Sequence, residues 1–150
     1  MMVRVCFLLL AVLLAGVACE SKTGSGASVP SLSGPAIERN THPEVIKAGA
    51  QLFQTHCAQC HGEMAEGDPQ WRKPGGDGRY PAPPLNGSGH AWHHPTSWLK
   101  EIIRNGSQPQ GNMPAWQEVL SDEEIDAVVA WFQAQWPDQV YAAWYEMQNR

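Results

Sequence analysis

The segment Cys57-Ala58-Gln59-Cys60-His61 decides how this chain is read. Wound as a helix, it places Cys57 on one face with Cys60 and His61, at three- and four-residue spacing. Two sulfur nucleophiles and one nitrogen ligand then meet the same body. That set matches covalent haem attachment, in which the thiols add across vinyl groups and the imidazole becomes the first axial ligand to iron. A C-x-x-C pair also serves as half of a zinc site or as a thioredoxin-like dithiol. Zinc asks for two more ligands of similar type, and the dithiol fold asks for a strand just ahead of the motif. The residues before Cys57 carry helical periodicity instead.

Working outward to the N-terminus, residues 1–18 read as an export signal. Arg4 supplies the positive region, residues 5–14 are an almost continuous apolar run, and Ala15-Gly16-Val17-Ala18 are small. The run is too short for a comfortable membrane span. It ends at Cys19, and the junction resembles the lipobox of bacterial lipoproteins, whose cysteine is lipidated and becomes the new N-terminus. Gly16 departs from that pattern, and plain cleavage after Ala18 is the other outcome. Either route removes Cys6, so the mature chain keeps Cys19, Cys57 and Cys60 and has no structural disulfide to form.

Residues 19–40 are rich in Ser, Gly and Pro without apolar periodicity, which reads as a flexible tether. Residues 41–136 make one small folded domain, and 137–150 a C-terminal helical extension. Such a domain has a modest core; seven tryptophans and a buried haem would enlarge it. Loss of the leader leaves nine of the ten Lys and Arg against fifteen Asp and Glu, a formal charge of −6 in place of −5. That balance excludes a nucleic-acid partner, whose phosphates demand a basic footprint. It suits docking to a basic patch on a redox protein.

Pro43 suits the first turn of a helix running through Glu44, Val45, Ala48, Leu52 and Phe53 to the cysteines, with Gly49 inside it. Between Pro95 and Asn105 a second helix turns Leu99, Ile102 and Ile103 inward and ends at Gly106. Ser121-Asp122-Glu123-Glu124 is a capping box that opens a third, carrying Ile125, Val128, Val129, Trp131 and Phe132. Beyond Pro137, Val140, Tyr141, Trp144, Tyr145 and Met147 read as a short extra helix.

Gly49, Phe53, Cys57, Cys60 and His61, together with a terminal helix bearing Trp131, resemble the monohaem cytochromes c of class I. The resemblance covers about residues 41–136. It implies an all-α fold of three to five helices wrapped around one covalently attached haem c, with the first and last helices crossing closely at the glycine. It also implies a second axial ligand from a methionine just before a proline, which Met113 in Gly111-Asn112-Met113-Pro114 matches. Met64 is only three residues past His61 and is tied to its side, and Met147 belongs to the tail. In the same family a proline carbonyl accepts the proton of the other imidazole nitrogen and a following leucine packs on the haem. Pro83 and Leu85 match these positions. Trp116 is placed to cover the haem or the methionine loop. Such haem is attached outside the bacterial cytoplasm, in agreement with the leader.

The expected function is therefore transfer of single electrons between redox proteins on the periplasmic side, from a domain tethered to a membrane through Cys19. A haem enzyme or gas sensor with an open iron position, and an electron-entry subunit of a larger oxidoreductase, are the alternatives. Two stretches depart from the plain pattern. Residues 62–80, with Arg72, Lys73 and Arg79, read as a surface loop that also suits a partner. His90-Ala91-Trp92-His93-His94 reads as a solvated loop, with a copper or zinc site as the rival.

Overall fold

The computed structural model describes residues 39 and 42–150. The leader, Cys19 and the tether up to residue 38 lie outside the described residues. The rest is all-α, as expected: α1 (Pro43–His56), α2 (Ala58–His61), α3 (Thr96–Asn105), α4 (Asp122–Ala134) and α5 (Asp138–Gln148), with a 3-10 turn at Ala91–His93. Among the described residues the β structure is a single isolated bridge between Tyr80 and Gly111.

Local chemistry starts and stops these helices. Pro43 occupies the first turn of α1, where its missing N–H costs nothing, and Glu44 and His56 suit the dipole at either end. In α4 both arms of the capping box form: Glu124 N–H donates to Ser121 Oγ at 3.3 Å, and Ser121 N–H donates to the Glu124 carboxylate at 2.8 Å. Gly106 closes α3 with φ +78°.

Packing then follows from α4, which buries Ile125 and every residue from Ala127 to Phe132. A helix buried on nearly all sides needs neighbours on nearly all sides. α1 crosses it so closely that a Cβ built on Gly49 would lie 2.0 Å from the Ala127 carbonyl oxygen and 2.9 Å from Trp131 Cβ. Phe53 and Trp131 lock the crossing, with ring centroids 4.4 Å apart. α3 lies along α4 and is pinned by Arg104 to Asp122 at 2.7 Å and by Lys100 to Asp126.

The C-terminal helix covers a second face. Tyr141 and Trp144 of α5 are buried against Trp136, and Trp144 Nε1–H donates to the His94 carbonyl at 3.1 Å. Arg39, in the stretch read as a tether, is held by the same helix. It donates to the Trp136 carbonyl at 2.6 Å, pairs with Asp138 at 2.7 Å and lies over the Tyr141 ring. The tether's composition gave no hint of this anchor, because its partners lie about a hundred residues away.

Candidate functional site

Cys57 sits at the junction of α1 and α2, and the backbone winds on without a break. Its N–H donates to the Phe53 carbonyl at 2.8 Å, and its own carbonyl accepts from Cys60 and His61 at 3.1 and 3.0 Å. The motif is thus helical, as its spacing predicts. Cys57 is buried and Cys60 exposed. Burial, and then the neighbouring Cys60, push the Cys57 thiol up to about 11.

His61 is 7% exposed, and its Nδ1 lies 2.9 Å from the Pro83 carbonyl oxygen. Burial lowers its pKa below 6.5, opposed by the bond to Pro83. The ring is therefore neutral near pH 7. Nδ1–H donates to Pro83, and the lone pair remains on Nε2.

Two loops hold Pro83 in place. Gly67 N–H donates to the His61 carbonyl at 2.7 Å, and Leu85 N–H to the Ala65 carbonyl at 2.8 Å. Gly67 has φ +68°, and a Cβ there would meet Pro84 N at 2.4 Å, so a side chain would push Pro83 off the imidazole. Trp136, 2% exposed, donates from Nε1 to the Leu85 carbonyl at 2.7 Å.

Met113 is half-buried in a loop tied to the end of α3. Its N–H donates to Ser107 Oγ, and its carbonyl accepts from Ser107 N–H, both at 3.1 Å. Tyr80 N–H donates to the Gln110 carbonyl at 3.0 Å, and Arg79 to the Asn112 side chain at 3.1 Å. Trp116 meets His56 edge-on at 5.3 Å.

These residues meet in one cleft of about 1070 Å³. Cys57, Cys60, His61, Pro83, Leu85 and Met113 all line it, so the fold brings together every site residue read within the described part of the chain. Met64 and Met147 are exposed and do not line it. Leu99, Ile102, Ile103, Trp116 and Phe132 make its walls apolar.

The three imidazoles of residues 90–94 do not converge on one point: His90 and His94 meet edge-on at 5.4 Å, while His93 packs on Trp92. His90 stacks on Trp71 and His94 on Trp98. Among the described residues no group of three or more His, Cys, Asp or Glu is arranged to hold a metal ion. His90, His94, Trp71 and Trp98 line the cleft, a role that sequence reading missed. The clustering of the histidines was the only signal.

An all-α frame in which α1 and α4 cross at a glycine, around an apolar cleft edged by Cys-x-x-Cys-His, defines a class I cytochrome c. The family described as cytochrome c oxidase, cbb3-type, subunit III matches residues 44–132, and this chain belongs to it. Cytochrome CL of Methylophaga aminisulfidivorans MPT superposes with a TM-score of 0.53 at 28% identity, covering 74% of this chain and 68% of that one. The cbb3-type cytochrome c oxidase subunit CcoP of Azospirillum sp. (strain B510) is 31% identical, over 69% of this chain and 31% of that protein. A nitrite reductase of Stutzerimonas stutzeri is 28% identical, over 69% of this chain and 19% of that protein. The chain spans less than a third of either curated relative.

Membership implies covalently bound haem c, and the cleft fits it. It offers paired thiols, a neutral imidazole with one committed nitrogen, a thioether, and a volume at the upper end of small-molecule sites. Among the described residues no helix is long and apolar enough to cross a membrane.

Proposed function

We propose that this protein carries single electrons between redox partners outside the cytoplasm, with one haem c held by Cys57 and Cys60 and ligated by His61 and Met113. The observation that carries the reading is the His61 ring, neutral and fixed through Nδ1 to Pro83, in a cleft that Met113 also lines. When bound, the group supplies a one-electron ferrous–ferric couple, whose potential a thioether ligand raises.

The chain's own residues account for the rest. The Pro83 carbonyl holds the imidazole plane and strengthens its donor nitrogen. Leu85, Leu99 and Ile103 give the cleft apolar walls that would keep water from the bound group, and the ties between Ser107 and Met113 limit how far the thioether moves. With His61 and Met113 as the residues that would hold the iron, no position would be left for a substrate, which suits a carrier and disfavours catalysis. The acidic chain suits a basic face on its partner. The leader and Cys19 favour export and a lipid tether, and mass spectrometry of the mature N-terminus checks both.

The test is an absorption spectrum of the holoprotein, ferric and ferrous, with and without carbon monoxide, repeated for Met113→Ala. A low-spin iron that ignores carbon monoxide, with a methionine-to-ferric charge-transfer band lost in the variant, supports the reading. High-spin iron or prompt carbon monoxide binding in the wild type overturns it in favour of an open site.

The two longer relatives favour a second reading, in which the domain is the electron-entry part of a larger oxidoreductase. Stable co-purification with such a partner, rather than transient encounter, distinguishes it.

A further inference from the structure

One wall of the cleft is a row of stacked rings. Trp71 lies on His90 at 5.1 Å with 14° between planes, His90 meets His94 edge-on at 5.4 Å, and His94 lies on Trp98 at 3.8 Å and 17°. The Arg72 guanidinium caps the row, 4.1 Å from the Trp71 ring centroid. All five side chains line the cleft that His61 and Met113 line. Packing alone gives no reason for imidazole here, since phenyl rings stack as well and add more apolar area. What imidazole adds is a proton site near neutral pH.

We infer that His90 and His94 form a proton-accepting pair linked to the redox state of the cleft, so that reduction by one electron draws one proton from solvent onto the pair. This rests on the proposed function, because it needs a redox-active haem in the cleft. One electron enters from the donor protein, one proton passes from water to an imidazole nitrogen, and both leave on oxidation by the acceptor. The charge of the cleft is then the same in both states.

Few other charges face the pair. Burial, then His93 and Arg72, keep His90 below the usual imidazole value; burial, then His90 and His93, do the same for His94. Repulsion between two charged rings favours one proton on the pair over two. Asp68 is the acid on the cleft lining. On α3, Lys100 and Arg104 are paired with Asp126 and Asp122, and Glu101 holds Asn105. α5 reaches the turn through Trp144, and burial pushes its neighbour Tyr141 above its usual 10, so that phenol stays neutral.

The sign follows from these charges. A ferric centre adds positive charge and makes the pair harder to protonate, and a ferrous centre makes it easier. The reduction potential is therefore constant at low pH, falls between the ferric-state and ferrous-state pKa values, and is constant again above them. The falling window opens on the acid side of about 6.5.

The test is the reduction potential of the holoprotein from mildly acid to mildly alkaline pH, for the wild type and for His90→Gln with His94→Gln. Within the window the ferrous-to-ferric ratio is expected to change up to tenfold per pH unit, about 59 mV for a one-electron couple. The double variant is expected to lose the slope and keep its spectrum. NMR titration of the wild-type imidazoles, which needs no variant, is expected to give a lower pKa in the ferric state than in the ferrous. A flat wild-type potential, a slope that survives in the variant because haem carboxylates titrate instead, or equal pKa values in both states overturns the inference. Absence of a reversible one-electron couple would instead overturn the electron-carrier reading beneath it.

Discussion

At the scale of single residues, Gly49 sets how near α1 and α4 approach. In an exposed helix, Gly→Ala gains about 1 kcal/mol. Here the added methyl group would run into the Ala127 carbonyl, a backbone atom that cannot turn aside. Overpacking of this kind costs about 1–3 kcal/mol, so the clash outweighs the propensity gain. Gly49→Ala is expected to lower the denaturant midpoint, and an unchanged or raised midpoint would mean that the crossing is looser than it looks. Gly49 was legible as a crossing glycine only through the family resemblance, because its neighbour lies seventy-eight residues along the chain. His61 was legible from five residues, since its role depends on a local motif.

At the scale of elements, boundaries follow from short-range chemistry. The capping box of α4 joins residues three apart, and Ser121→Ala is expected to cost about 1 kcal/mol in unfolding free energy. Chemical denaturation of the holoprotein measures it, and a loss under a few tenths would show that packing of α4 hides its cap. The four longer helices were all legible for the same reason: Pro43, the capping box, Gly106 and the apolar periodicities act within one or two turns. The stretch between His61 and Pro95 was not. Ala65 is fully buried with φ +56°, and the proximity of Trp71 to His90 depends on how nearly twenty residues of loop return to the cleft. No local pattern encodes that path.

At the scale of the whole molecule, a chain of this size is built around a cleft of about 1070 Å³ with apolar walls. Without covalent haem those walls face water, and burial lost at about 25 cal/mol per Å² is of the same order as what a small domain has in reserve. Cys57→Ala with Cys60→Ala is expected to abolish near-ultraviolet circular dichroism and most helical signal. Retention of a near-native spectrum would show that the helices stand alone. α5 bears on the same balance, since Tyr141 and Trp144 bury against Trp136, which in turn holds Leu85. Trp144→Ala is expected to destabilise the holoprotein by about 3–5 kcal/mol, the usual cost of emptying a buried aromatic site. A change below 1 kcal/mol in its thermal or chemical unfolding would mean that α5 is an appendage.

The sequence by itself determined the helices, the attachment motif and the candidate ligands, because each is written in residues close enough to interact before the chain folds. It also pointed to the family, through an ordered series of such short signals. Tertiary structure alone decided that Arg39 is held by α5, and that two of three clustered histidines face the cleft while the third lies on Trp92; the meeting of Pro83 with His61 was expected only through the family resemblance. These are contacts between segments far apart in the chain. Their geometry is set by the closure of loops around a shared core, which no window of sequence contains.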